Sequence, residues 1–253
     1  MHKIESDEMS PEFYELWKAA ATHLDSLVQG EDTAWRRRHS NPPFLEHLAL
    51  RLGNQNFFVR IRDADGRIDE GPGSLNGLLH VAEQNGAYPC LLLMRKDQST
   101  GEWRPAYPGY WLADVRTGKP INPRALVTEE RIPMTPWEIH SMGVQIVFNN
   151  LREEGYRITS CQDDPNVDPT LFFETDDGQI EWVVVRVVAY PAHQAERPAN
   201  WAAIAKQLSG VARAGHFASV ALASTEQPFE SDDEPAVPLW RGQGLLVSYS
   251  GLE

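Results

Sequence analysis

VDPTLFFETDDGQIEWVVVRVVAYP, Val167 to Pro191, is the stretch that decides the fold. Asp176-Asp177-Gly178 is turn chemistry: short acids that bond their own backbone, then a glycine free to take positive φ. On its left, Pro169 to Glu174 reads as one strand. On its right, Ile180 to Ala189 is a nearly unbroken valine run. A strand without polar alternation is covered on both faces, so this one is central in its sheet. Trp182, Val184 and Arg186 share one face of it, and Glu181, Val183 and Val185 share the other.

The flanks extend the pattern. Thr135-Pro136 with Glu138 three residues after the threonine is a capping box, with proline where its missing N–H does no harm. The helix runs to about Glu154 and stops at Gly155; Trp137, His140, Val144, Val147 and Leu151 form its apolar stripe. On that stripe His140 reads as a satisfied core histidine. Tyr156 to Cys161 is a first strand, before a loop at residues 162–166. After the hairpin, Pro198 to Ala214 reads as a helix ended by Gly215, and Phe217 to Ala223 as a buried strand. An acidic, proline-containing excursion at 226–238 precedes an edge strand, Gly244 to Ser250.

The first half is less regular. Ser10-Pro11 starts a helix to about Val28. Trp35 to His39, with Arg36, Arg37 and Arg38, reads as a solvated connector or as partners for the nearby acids Glu31 and Asp32, in preference to a phosphate-binding site. Phe44 to Leu52 reads as a short helix, Phe57 to Arg62 as a strand, and Asp63 to Gly66 as a hairpin-type turn. Ser74 caps a helix to about Asn85; Tyr88 to Met94 and Tyr110 to Val115 are strands. Neither Gly71-Pro72-Gly73 nor Gly118-Lys119 satisfies a phosphate-loop pattern. Prolines at 123, 133 and 136 mark a junction. The expectation is therefore an α+β protein of two parts: a small mixed unit, 1–132, and a helix–three strands–helix–strand unit with a mixed sheet, 133–253.

Charge separates the halves. Residues 1–133 hold 16 Lys+Arg against 19 Asp+Glu, and residues 134–253 hold 7 against 17, so most of the net −13 lies in the second half. A phosphate-gripping surface is ordinarily basic, which disfavours nucleic acid as a partner of that half. The only cysteines, Cys90 and Cys161, have no metal-ligand spacing, and Cys90 reads as a buried thiol. The acidic start MHKIESDE lacks the apolar core of a leader, and no run approaches the ~20 apolar residues of a membrane span. A cytoplasmic protein is expected.

The order helix, three strands with a hairpin between the second and third, helix, strand resembles the PD-(D/E)XK, or restriction-endonuclease-like, nuclease superfamily over residues 134–224. The resemblance implies an acid at the start of the second strand and another on the third, both on Mg²⁺, with a lysine two residues beyond and often a glutamate on the first helix. Asp168 fits the first acid and Glu138 the helix position. Arg186 stands where the lysine would be, and Val184 where the second acid should be. Glu174, at even spacing from Asp168, is the candidate for a relocated ligand, although six residues of strand put it ~20 Å away. Mg²⁺ requires hard oxygen ligands, and guanidinium is a permanently charged fork rather than a point charge.

Asp168, Arg186 and Glu138 are therefore the candidate catalytic residues, and Asp168 and Glu174 the candidate metal ligands. The leading reading is a non-catalytic protein-interaction or regulatory module on a nuclease-like fold. It has a protein partner and no cofactor. Its alternatives are a Mg²⁺-dependent nuclease with relocated ligands and an acidic inhibitor of unrelated fold. An arginine inside a valine run needs an acid beside it in every case, Asp168 or Glu138.

Overall fold

Ser10 accepts the Phe13 N–H at 3.1 Å, and Pro11 follows at the first helical position, so helix α1 spans Pro11–Asp25. A computed structural model describes residues 9–30, 32–109, 112–230 and 235–253 of the chain. Glu31, Tyr110, Trp111, the first eight residues and the Asp232-Asp233-Glu234 tip, on which the sequence reading also drew, lie outside the described residues. The chain divides into two compact units, Met1–Ile132 and Pro133–Glu253. Both are α+β.

In the N-terminal unit α1 buries Phe13, Leu16, Trp17, Ala20, Ala21 and Leu24. The strands β1 (Thr33–Arg37), β2 (Leu48–Leu52), β3 (Gln55–Asp63), β4 (Tyr88–Lys96), β5 (Trp103–Pro105), β6 (Leu112–Asp114) and β7 (Pro120–Ile121) make one sheet. Its order is β1-β2-β3-β4-β6-β7, with β5 also on β4. β3 and β4 are parallel, joined through α2 (Leu75–Gln84), whose first turn is capped by Ser74.

Three expectations for this unit are corrected. Phe44 to Leu52 is not a helix: Leu48, Leu50 and Leu52 alternate into the core as β2, and a Gly53-Asn54 turn leads into antiparallel β3. Trp35 to Arg37 is strand rather than connector. Arg38 pairs with Asp25, and Arg37 donates to the carbonyls of Asn41 and Pro43; the Glu31 named as a partner lies outside the described residues. Asp63 to Gly66 is no hairpin turn, because the next strand is reached by a crossover; its loop is held by the Asp63 carboxylate, which accepts the N–H groups of Asp65, Arg67 and Ile68. Gly71-Pro72-Gly73 is a packing loop: a Cβ at Gly73 would sit 1.8 Å from the Phe44 carbonyl oxygen.

In the C-terminal unit Thr135 accepts the Glu138 N–H while the Glu138 carboxylate accepts the Thr135 N–H, closing the capping box that starts α3 (Pro136–Glu153). Then follow β8 (Arg157–Cys161), β9 (Leu171–Glu174), β10 (Ile180–Ala189), α4 (Trp201–Leu208), β11 (Ala214–Ser224) and β12 (Leu245–Tyr249). The sheet order is β12-β11-β10-β9-β8. Only the β10–β11 pair is parallel; the other three are antiparallel. β10 is central, as its valine run requires. Val183 and Val185 pack with Val144, Val147 and Leu151 of α3, and Trp182 and Val184 pack with Ile204 of α4. Helices therefore cover both faces.

Helix α4 ends at Leu208 instead of running to Ala214, because Ser209-Gly210 stops it; Val211, beyond that stop, is 66% exposed. Gly215 lies within β11, not at a helix end. The Trp182 indole lies against it, and a Cβ there would fall 2.0 Å from the ring. No helix among the described residues is long and apolar enough to cross a membrane.

Candidate functional site

The hairpin's open end is built by one hydroxyl. The β9–β10 register ends at Leu171 opposite Val183. Beyond it the Thr170 N–H still donates to the Val183 carbonyl at 2.9 Å, while the Thr170 hydroxyl accepts the Val185 N–H at 3.1 Å. The fully buried hydroxyl replaces a ladder carbonyl, and it brings Asp168 across from Arg186.

There the Arg186 guanidinium grips the carboxylate as a fork, Nη1 to Oδ1 at 2.9 Å and Nη2 to Oδ2 at 2.6 Å. Nη1 also donates to the Val185 carbonyl at 3.0 Å. Both carboxylate oxygens are thus committed to one cation, in the strongest geometry available to such a pair. The preceding loop is fastened by Gln162, whose amide donates to the carbonyls of Val167 and Pro169 and whose oxygen accepts the Asp164 N–H.

Of the other candidates, none joins Asp168. Val184 is wholly buried against α4. Glu138 is 1% exposed; beyond its capping bond it takes Arg241, with Nε to Oε1 at 2.9 Å and Nη2 to Oε2 at 2.8 Å. Glu174 sits at the far end of β9 and pairs with Arg157, its cross-strand partner on β8. Among the described residues no group of three or more His, Cys, Asp or Glu side chains could hold a metal ion.

His140 differs from its expectation. It is buried, 6% exposed, but Nε2 has no hydrogen-bond partner, so it is a core histidine without being a satisfied one. Burial pushes its pKa down; the nearby Asp163, Asp164 and Asp168 carboxylates oppose that, and Arg186 adds to it. Cys90 and Cys161 are buried free thiols, and burial pushes the Cys90 thiol far up.

A second polar cluster lies at the other end of β10. Glu181, 6% exposed, accepts Arg213 Nε at 2.8 Å on one oxygen and meets His216 Nε2 at 2.7 Å with the other. Arg213 reaches on to Asp177 in the hairpin turn at 2.8 Å. Burial alone would raise the Glu181 carboxyl, but the His216 and Arg213 hydrogen bonds outweigh it and hold the group below the ordinary glutamate range. Sequence reasoning missed this cluster. The signal was present: a glutamate in a valine run needs partners for the same reason as an arginine does. Their identity depends on the parallel pairing of β10 with β11, which sets Val183 opposite His216.

Residues 137–253, just under half of the chain and nearly all of the C-terminal unit, match a family described as Domain of unknown function (DUF8840). No curated protein and no solved structure matches.

Proposed function

We propose that the C-terminal unit is a non-catalytic protein-interaction or regulatory module built on a nuclease-like scaffold. Two features support the scaffold: the order helix, three strands, helix, strand, and a sheet whose one parallel pair joins the third and fourth of its strands. The absence of catalysis rests on one observation, the closed Asp168–Arg186 fork. A divalent cation at Asp168 would have to displace a guanidinium from both oxygens, with buried Val184 offering no second ligand. Glu138 does not substitute, because Arg241 and the Thr135 N–H occupy its carboxylate.

The 17 acids against 7 bases in residues 134–253 favour a protein partner over a nucleic acid and would steer a basic one. Cytoplasmic residence belongs to the same proposal, since two buried free thiols suit a reducing compartment. The test is incubation of the full chain with plasmid DNA and structured RNA in Mg²⁺ or Mn²⁺. No cleavage is expected. Cleavage that disappears in Asp168→Ala would overturn the proposal.

A further inference from the structure

A sheet edge exposes backbone donors and acceptors, and proteins that do not use an edge for binding blunt it with charge, proline, a bulge or brevity. Among the described residues five strands have an open edge, and four of them are blunted, among them the three-residue β5 with its Arg104 and Pro105. β1 carries Arg36 and Arg37 and a register break between Trp35 and Arg37. β7 is two residues long and begins with Pro120. β8 begins with Arg157 and breaks register between Ile158 and Ser160.

β12 has none of these devices. Its register with β11 runs without a break from Val220–Tyr249 to Ser224–Leu245. From Gly242 to Leu252 the sequence has no charged residue and no proline. Leu246 is 36% exposed and Val247 47%, so apolar side chains show on both faces of this rim.

The hydrogen-bond phase tells which groups are open. The Thr225 N–H donates to the Gly244 carbonyl at 3.1 Å. In an antiparallel ladder that bond makes Ser224–Leu245 a non-bonded pair and Ala223–Leu246 a bonded one. The N–H and C=O groups of Leu245, Val247 and Tyr249 therefore point away from β11. Among the described residues no backbone group meets them.

The rim sets the partner's charge. Exposed Glu226 follows the end of β11, and exposed Glu154 lies near Tyr249. A second copy docked antiparallel on β12 would set one acidic rim against another. A basic strand meets complementary charge.

We propose that β12 receives, as a further strand of the C-terminal sheet, an extended segment of a partner protein with lysine or arginine on either side of a short apolar core. This names the surface and partner chemistry for the interaction module above and rests on that reading. Main-chain pairing supplies the affinity and the flanking charges the selection.

The probe is a labelled peptide, Lys-Lys-Val-Thr-Val-Thr-Val-Lys-Lys, titrated with the full chain and followed by fluorescence anisotropy. Binding is expected, weakened about 10-fold or more by glutamates in place of the lysines, a loss equal to ~1.4 kcal/mol. Val247→Pro removes an outward N–H and leaves the β11 ladder whole, so it is expected to weaken binding by a similar factor, while Val247→Thr is expected to retain it. Should Val247→Pro fail to fold, N-methylation of alternate peptide residues removes the pairing groups from the other side and is expected to abolish binding. No binding, equal binding of the glutamate peptide, indifference to N-methylation, or self-association that Val247→Pro reverses would each overturn the proposal. DNA cleavage dependent on Asp168 would overturn the non-catalytic reading instead, and a failed peptide without cleavage removes only the edge.

Discussion

His47 in the N-terminal unit and His140 in the C-terminal unit are both buried, and they show two opposite ways of keeping an imidazole from water. His47 is wholly enclosed. Its Nδ1 accepts the Ile61 N–H at 2.9 Å, which leaves the proton on Nε2, directed at the Pro72 carbonyl 2.9 Å away. Its own carbonyl accepts the Trp17 indole N–H at 2.8 Å, and its ring meets Phe13 edge-on at 4.9 Å. One side chain thus ties α1, β3 and the Gly71-Pro72-Gly73 loop together, in a single tautomer. His140 has an orphaned Nε2 beside a loop of carboxylates. A buried polar group with fixed partners contributes to one definite fold, whereas an unmatched one subtracts from stability.

The largest test of this contrast is acid. Burial lowers the His47 pKa from 6.5 to about 3. Between those values the unfolded chain binds a proton that the folded chain refuses. Stability is therefore complete above about pH 6.5 and falls as the pH drops toward 3, by roughly 5 kcal/mol at most. Urea unfolding from about pH 7 to pH 4 should show the decline in the N-terminal unit, and His47→Gln should flatten it. An unchanged slope in that variant would place the titration elsewhere.

The same contrast extends to the two carboxylate forks. The side chains of Glu138 and Arg241 are 1% and 4% exposed, against 13% and 27% for Asp168 and Arg186. Arg241→Ala strands a charge in the interior and should cost about 3–5 kcal/mol. Arg186→Ala, at a half-open pair, should cost about 1 kcal/mol. Equal losses in chemical denaturation would erase the distinction. The smallest effect is expected at His140→Leu, which removes an unmatched nitrogen and should change stability by less than about 1 kcal/mol in either direction. A loss of several kcal/mol would mean that His140 is as well matched as His47.

What could be read in the sequence was local. The Ser10, Ser74 and Thr135 caps and the Ile180–Ala189 strand depend on neighbours a few residues away. The Phe44–Leu52 misreading shows the limit: its leucines suit helical spacing and strand alternation alike, and pairing with β3 decides between them. The candidate site was legible as far as Asp168 and Arg186, whose mutual need follows from an arginine within a valine run and a turn acid near it. Glu138 was legible as a cap but not as the partner of Arg241, which arrives from 103 positions later. The Glu181–His216–Arg213 cluster was not legible, since no local pattern says which strand lies parallel to β10.

Gly215 has a consequence of a different kind. Trp182 occupies the space a side chain would need there, and the two residues are neighbours in the parallel ladder. Slipping β11 by one position would drive Ala214 or His216 under the indole and turn the His216 imidazole to the opposite face, away from Glu181. A missing methyl group thus works as a keyway: only one alignment of the two strands slides home, and it is the alignment that assembles the cluster at the strand's end.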